Sequence, residues 1–554
     1  MERLGLAAAA CITLGILGFY AGRLGMPLPI FGGDEGAYLI RALYPPEIVA
    51  ANPYVAKVNN GAHLSVIRAV YEMGLPFIIG DRLVNSAAYL GGLALIWRAS
   101  VARTPRAHQV ALGLLALAFP YYRFAFSNMA EGLFVGVLAL LCLATGRWYR
   151  SRPVVHALTA GAIAAALVLI KPNGVASIAA LGAVAVLDAA VSGGWRRLPL
   201  RILLFAAAFF AVGNLIQWGA QEPTPDPLRF FVGDIYRNTL GMKPPKMAAL
   251  ATLGFLGVSS ALAILAGAPI MIGLADLWAR WRAQRRGFTA EGSDLVFLLL
   301  TLSAAATVVM VAIFAGKVGF SPEETKRLWG RYFEFFAPLL WLAAAPALAR
   351  PIDPRVRWAC AAVMLAGLAG LLAAFRSGVV LFPWDASAVS AFFHADAVRA
   401  PVLFGRSFRL VSSVATVAAA AAIVLRLRPV HAGLGLVLVL GVLSTRLDQL
   451  WLGALVAHNA ILEHDARAIR PTLPARPTPT ALLAQDANEG HLAFLRLDAR
   501  PRVFLGPSGA QATPADLKGV QAVVVSGPGT PPGGPWVRTY KGEDLSVFRP
   551  AAAP

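Results

Sequence analysis

The sequence predicts an all-α polytopic membrane protein of about thirteen helices, with a small extracytoplasmic α/β domain at its C-terminal end. Three observations carry that reading. First, 58% of the 554 residues are hydrophobic and only 14% are charged, with a mean hydropathy of +0.64; a soluble domain carries roughly 25% charged residues. Tracts such as Leu4–Tyr20, Phe205–Trp218 and Leu295–Phe314 hold no lysine, arginine, aspartate or glutamate. A run of about 17–25 such residues crosses a bilayer as a helix, because the helix satisfies its own backbone polar groups. Second, arginines cluster in every other loop between these tracts. Third, after Arg446 the apolar tracts end and Ser, Thr, Pro and Gly become frequent.

The expected spans lie near 4–22, 83–97, 109–121, 130–145, 155–171, 174–191, 201–218, 248–275, 294–315, 335–349, 357–376, 409–426 and 430–447. Leu4–Tyr20, preceded by Arg3, has some character of a secretory signal. It is read as a retained first helix, because the residues just beyond it look functional and the parity of the later spans requires it. The 3 cysteines, Cys11, Cys142 and Cys360, all fall inside spans, which argues against a disulfide framework or a zinc site. The net charge of +20 does not point to nucleic acid, since there is no long basic tail and no interleaving of basic and aromatic residues.

Positive charge fixes the expected orientation. Loops of one parity hold Arg98, Arg103 and Arg106; Arg147, Arg150 and Arg152; Arg196, Arg197 and Arg201; Arg280, Arg282, Arg285 and Arg286; Arg350, Arg355 and Arg357; and Arg426 with Arg428. Arg3 agrees with them, so this side is expected to be cytoplasmic, with the N-terminus inside and the C-terminal domain outside. The lipid bilayer of the plasma (inner) membrane is thus an expected partner. The opposite loops, 32–81, 219–247, 316–333 and 376–408, are longer and mix both signs of charge with aromatics and prolines. Within them Asn60–Glu72, Phe230–Leu240 and Ala388–Val398 are candidates for helices lying along the interface. The domain reading is 1–447 for the transmembrane part, 448–480 for a linker ending in the stiff Pro471–Thr480, and 481–554 for the α/β domain. His491–Leu497, Ala522–Val525 and Val537–Phe548 read as its strands.

Four features on the outer side bear chemistry. Gly32-Gly33-Asp34-Glu35-Gly36-Ala37-Tyr38 follows the first span directly. Paired acids at a membrane surface are costly to bury and unnecessary for anchoring, and flanking glycines allow tight turns and close approach; the alternative is a solvated acidic loop. Glu131 opens the fourth span after Tyr121-Tyr122-Arg123; its structural alternatives are complementing the helix dipole or pairing with Arg123. Lys171-Pro172-Asn173-Gly174 is a hairpin between two span ends, where a lysine either snorkels or binds phosphate as a point charge. Lys326-Arg327-Leu328-Trp329-Gly330-Arg331-Tyr332-Phe333-Glu334 enters the tenth span with positive charge against the orientation rule. An arginine fork there suits phosphate oxygens, while Trp329 and Tyr332 also suit an interfacial belt.

Asp34, Glu35, Glu131, Lys171 and Arg331 all fall on one expected side of the membrane. The Asp-Glu pair after the first span resembles the signature of the GT-C glycosyltransferases, in the group of protein O-mannosyltransferases and aminoarabinose transferases. Glu131, the Lys-Pro-Asn-Gly hairpin, and Arg331-Tyr332 entering a late span are similar to that group's pattern, as are the span count and the outer C-terminal domain. The resemblance covers most of 1–447 and does not extend through the C-terminal domain. It implies transfer of a sugar from a polyprenyl-phosphate carrier to an extracytoplasmic acceptor hydroxyl on a glycan, lipid or protein, with inversion. Asp34 would be the general base, with Glu35 orienting the acceptor or a bound cation and Glu131 assisting. Lys171 and Arg331 would hold the donor phosphate, with Arg327 and Lys243 in support. Tyr38 and Tyr332 would touch acceptor or sugar. No cofactor is implied with certainty; a divalent cation near Asp34 and Glu35 is one option, although no ligand cluster stands out.

No Gly-x-x-x-x-Gly-Lys-Ser/Thr, His-Glu-x-x-His or Gly-x-Ser-x-Gly motif occurs, which argues against nucleotide-driven transport and zinc proteolysis. The main rival is a secondary transporter or flippase of a lipid-linked or anionic solute. Such proteins place ionisable residues near the midplane and carry inverted repeats, whereas here the charges gather at the outer edge.

Overall fold

The structure is a computed structural model that describes residues 2–26, 34–44, 60–101, 104–192, 194–220, 244–284, 289–317, 327–381, 386–392, 405–473, 480–484, 487–497, 502–505, 515–527, 529–533 and 536–551, with a few single positions between them. Long apolar tracts have become helices throughout. In chain order these are α1 (Glu2–Ala21), α2 (Asp34–Leu43), α3 (Gly61–Glu72), α4 (Phe77–Val101), α5 (Arg106–Ala118), the single turn α6 (Tyr122–Ala125), α7 (Glu131–Trp148), α8 (Pro153–Ile170) and α9 (Gly174–Ser192). There follow α10 (Leu198–Gly219), α11 (Pro244–Gln284), α12 (Gly292–Lys317), α13 (Phe336–Ala343), α14 (Ala345–Leu348), α15 (Pro354–Arg376), α16 (Gly405–Val424) and α17 (Pro429–Ile469).

Each of the thirteen expected spans coincides with helix, and among the described residues 10 helices are long and apolar enough to cross a membrane. The other three expected spans fall short for separate reasons. Helix α5 has 13 residues, a rise of about 20 Å against a hydrocarbon core of about 30 Å. The tract 335–349 is divided into α13 and α14, with Pro346 in the first turn of the second piece. Helix α4 is 25 residues long but carries Asp81, Arg82 and Asn85 near its start. The free cysteines Cys142 and Cys360 are buried and Cys11 is exposed.

The chain divides into two compact units. The first comprises Met1–Leu24, Leu83–Phe126 and Ala130–Asp448. Its helices pack as α11 against α12 and α15, α8 against α7 and α10, and α12 against α7 and α9. Small residues permit this closeness where hydrophobicity alone supplies no drive. A Cβ on Gly132 would lie 2.3 Å from the Asn85 carbonyl oxygen, and one on Gly136 would lie 2.8 Å from that of Ala88. Asn85 Oδ1 also accepts from the Leu133 backbone N–H at 3.0 Å, so the start of α7 is pressed and bonded onto α4.

Deep in this unit Asp448, fully buried, gathers three partners. The Tyr20 hydroxyl donates to Oδ2 at 2.6 Å, Arg23 approaches Oδ2 at 3.3 Å, and Arg123 Nε lies 2.7 Å from Oδ1.

The second unit comprises Gly25–Arg82, Ser127–Met129 and Gln449–Pro554. Its sheet has five strands, β1 (Thr480–Ala484), β2 (Arg502–Leu505), β3 (Ala522–Ser526), β4 (Trp536–Lys541) and β5 (Leu545–Pro550), in the order β2-β1-β3-β5-β4. β1 runs parallel to β2 and β3, while β5 runs antiparallel to β3 and β4. Helix α18 (Ala487–Arg496) links β1 to β2 as a parallel crossover. The expected strand at His491–Leu497 is therefore helix for all but its last residue. His491, Leu492, Ala493, Phe494 and Leu497 are all buried, so no single stripe betrays the helical period in so short a run.

Helix α17 runs on to Ile469, so most of the expected linker 448–480 is helix, and Leu462, Ala466 and Ile469 join a hydrophobic core. That core also takes Ala37, Leu39 and Ile40 of α2, Leu64 and Ile67 of α3, and Leu482, Val524 and Val547 of the sheet. The sheet thus shares one interior with parts of the first long loop.

Replacing Asp448 with alanine should leave two buried guanidinium groups without their carboxylate and lower stability by about 3–5 kcal/mol. Replacing Asp188, whose pair with Arg150 is partly exposed, should lower it by less than about 1 kcal/mol. Thermal unfolding of the two variants in detergent measures the contrast; equal melting temperatures would contradict it.

Candidate functional site

Helix α2 begins with the acid pair, which complements the positive end of its dipole. The two carboxylates are treated differently. Glu35 is 0% exposed, and Oε1 accepts from the backbone N–H of Asn128. Asp34 is half-buried and keeps solvent contact. Asn128 continues the network, donating from Nδ2 to the Ile78 carbonyl at 2.8 Å and to Asp81 Oδ2 at 3.0 Å. On its other oxygen Asp81 faces His63 Nε2 at 3.4 Å, both side chains fully buried. His63 in turn meets the ring of Tyr38 edge to face at 5.1 Å. Of the residues singled out in the sequence, Asp34, Glu35 and Tyr38 therefore share the second unit with a buried set of His63, Asp81 and Asn128.

In the first unit, Glu131 occupies the first turn of α7 and Lys171 caps the end of α8 with extended backbone. Their side chains form an ion pair, 2% and 7% exposed. Glu131 does not use Arg123, which is bound to Asp448. The hairpin after α8 closes as expected, with the Gly174 N–H donating to the Lys171 carbonyl at 3.0 Å.

Lys171 Nζ also lies 4.2 Å from the ring centre of Tyr332. The Arg331 guanidinium stands 5.1 Å from the same ring, and Arg327 stands 4.4 Å from the ring of Trp329. Trp329 and Tyr332 are 5.7 Å apart. The result is a ladder of cations against aromatic faces, in which Lys171 is also paired with Glu131.

Two groups missing from the sequence reading fix this ladder. The Tyr121 hydroxyl donates to the Arg331 carbonyl at 2.6 Å. Glu334, fully buried, accepts from the backbone N–H groups of Ser387 at 2.5 Å, Ala388 at 3.0 Å and Val389 at 3.0 Å, and from the Ser387 hydroxyl. Burial raises the Glu334 carboxyl above its ordinary pKa, and these donors oppose the rise. The signal for Glu334 was a carboxylate at the threshold of an apolar tract; Tyr121 sits inside a motif already quoted and Asn128 lies between that motif and Glu131, with nothing to single them out.

Lys243 lies outside the described residues, as does Lys326. So do 221–243 of the expected loop 219–247 and Phe230–Leu240 within it, and most of Ala388–Val398, of which Val389–Phe392 is a single 3-10 turn. The expected interfacial helix near Asn60–Glu72 is α3. Among the described residues no group of three or more His, Cys, Asp or Glu side chains is arranged to hold a metal ion.

Helical bundle, acid pair and C-terminal sheet together define a polytopic membrane protein with the GT-C fold. Two crystal structures of ArnT from Cupriavidus metallidurans have the same fold. The apo form matches with a TM-score of 0.53 at 20% identity, over 98% of this chain and 97% of that one. The form bound to undecaprenyl phosphate matches with a TM-score of 0.54 at 19% identity, over 99% and 98%. No family model matches the chain, and a search of curated proteins finds no match.

The Glu131–Lys171 pair makes a prediction about stability. Lys171→Met should cost about 3–5 kcal/mol by stranding a buried carboxylate, and Lys171→Met with Glu131→Gln should recover most of it. Chemical or thermal unfolding of the single and double variants decides this; a double variant no more stable than the single would show that the pair is not coupled.

Proposed function

We propose that the chain is an integral membrane glycosyltransferase that moves a sugar from a polyprenyl-phosphate carrier to an acceptor hydroxyl outside the cytoplasm. The observation that carries this reading is the ladder of Lys171, Tyr332, Arg331, Trp329 and Arg327. It combines fork-shaped and point-like cations, suited to phosphate oxygens, with aromatic edges suited to an isoprenoid chain. The fold shared with a protein crystallised with undecaprenyl phosphate supports the same carrier.

Asp34 is the base in this proposal. Glu35 is consumed by the Asn128 N–H and excluded from solvent, and Glu131 is consumed by Lys171. Asp34 opens α2 and is only half-buried. As the acceptor oxygen attacks the anomeric carbon, its proton passes to Asp34 and the bond from that carbon to the phosphate oxygen breaks on the opposite face, inverting the centre. The phosphate gains negative charge as it leaves, and Lys171 and Arg331 stabilise that charge. Glu35 acts as an anchor of α2 rather than an acceptor ligand, a change from the role the resemblance implies.

Asp34→Asn in the full-length protein should lower sugar transfer by about 10²–10⁴-fold while leaving undecaprenyl phosphate binding unchanged. A transfer rate equal to wild type would refute the assignment of the base. Arg331→Ala should weaken undecaprenyl phosphate binding by about tenfold or more, as loss of one charge-assisted contact predicts. Binding titrated by intrinsic tryptophan fluorescence checks it, and an unchanged dissociation constant would remove Arg331 from the donor site.

A further inference from the structure

We infer that the C-terminal domain sets the position of the Asp34 carboxylate and that His491 is the positioning residue through which it does so. The inference rests on the reading of Asp34 as the base, and adds a working part to that site. Gly36 follows the acid pair on α2. A Cβ placed on it would stand 2.7 Å from the Cβ of His491, with the imidazole Cγ at 3.5 Å and Nδ1 at 3.7 Å. Real Cβ atoms do not approach so closely. The obstacle is the first side-chain carbon of His491, fixed to its backbone, so a rotamer change does not relieve it. The α2 backbone therefore rests directly on α18.

His491 itself has no room to yield, being fully buried. Its helix is fixed from the other side. Arg496 donates to the Asn459 carbonyl at 3.0 Å and meets Glu463 at 3.1 Å, both on α17. Leu492 and Leu497 enter the core shared with α2 and the sheet. Just past the end of α2, Tyr44 packs on Phe494 of α18 at 5.7 Å.

The first turn of α2 is thus held at two successive residues, Glu35 by the Asn128 N–H and Gly36 by His491. Together they leave Asp34, one residue before, little freedom to shift. General-base catalysis needs the carboxylate within hydrogen-bond reach of the acceptor proton, and an error of about 1 Å in such a placement costs up to about a hundredfold in rate. The C-terminal domain acts here as the seat of the acid pair, whatever acceptor the enzyme uses.

A glycine swap tests the seat in the full-length protein. Gly36→Ala alone should raise hydrogen exchange across 34–44 by about tenfold and lower kcat by at least about tenfold, with KM for the donor lipid and undecaprenyl phosphate binding held within about twofold. His491→Gly removes the opposing Cβ and reports its own weakening of α18. The double variant Gly36→Ala/His491→Gly moves the methyl group from one face to the other, and should regain both amide protection and kcat relative to Gly36→Ala. A double variant no better than the worse single, or Gly36→Ala with wild-type protection and kcat, overturns the inference. Absence of sugar transfer by the wild-type chain would instead sink the transferase reading, and exchange across 34–44 would still decide the seat.

Discussion

A carboxylate without water must bring its partners to itself, and Asp448 organises the helical unit in that way. Isolated in a low-dielectric interior it would cost several kcal/mol, so Tyr20 and Arg23 at the end of α1 and Arg123 far along the chain converge on it. Its influence spreads because Arg123 has donors left over. They reach the Ala386 carbonyl and the Ser390 hydroxyl, the latter at 3.2 Å. Ser390 contacts Ser444 at 3.1 Å, and Ser444 donates to the Ser387 carbonyl at 2.7 Å. Ser387 then donates to Glu334, two residues beyond Tyr332. An unbroken series of buried hydrogen bonds runs from the ion cluster to the loop bearing the cation ladder. Rigidity of this kind is what electrostatic preorganisation requires, since donors that must first reorient stabilise a transition state poorly.

The same rule describes the carboxylates that hold structure. Glu131, Glu334 and Glu35 are each buried, and each is answered by a fixed donor: a lysine, a run of backbone N–H groups and a single backbone N–H. Asp34 differs by one position on one helix turn, and that position turns it partly toward solvent. In the proposed reaction the pair is therefore a division of labour, with one acid locking the helix and the other meeting the acceptor.

Much of this was legible in the sequence, and the failures have physical causes. Span positions follow from hydropathy because a bilayer permits almost nothing but helix; even the broken tract 335–349 is helical on both sides of its break. Asp34, Glu35, Glu131, Lys171 and Arg331 announced themselves by charge in an apolar context, where charge needs a reason. The partner of Arg123 was not legible, because Asp448 is 325 residues away by number and pairing at such range leaves no local pattern. His63, Asp81 and Asn128 were missed for a related reason, since their polarity is resolved by one another and not by any sequence neighbour. The strand expected at His491–Leu497 failed because that run takes in only the second half of the helix Ala487–Arg496, too short a stretch to show its period.

The shared core of the second unit has a consequence for the order of events in folding. Leu39, Ile40, Leu64 and Ile67 have as their core partners Leu462, Leu482, Val524 and Val547, nearly the whole chain length away. Helices α2 and α3, at 10 and 12 residues, are too short to be stable alone in water. Loop closure over so long a distance adds only logarithmically to the entropic cost, so the contact is thermodynamically sound yet late to form. The acid pair, although it follows the first helix directly, gains its packing against His491 only once that distant helix is in place. Until then the Asn128 N–H on Glu35 holds the pair from one side alone.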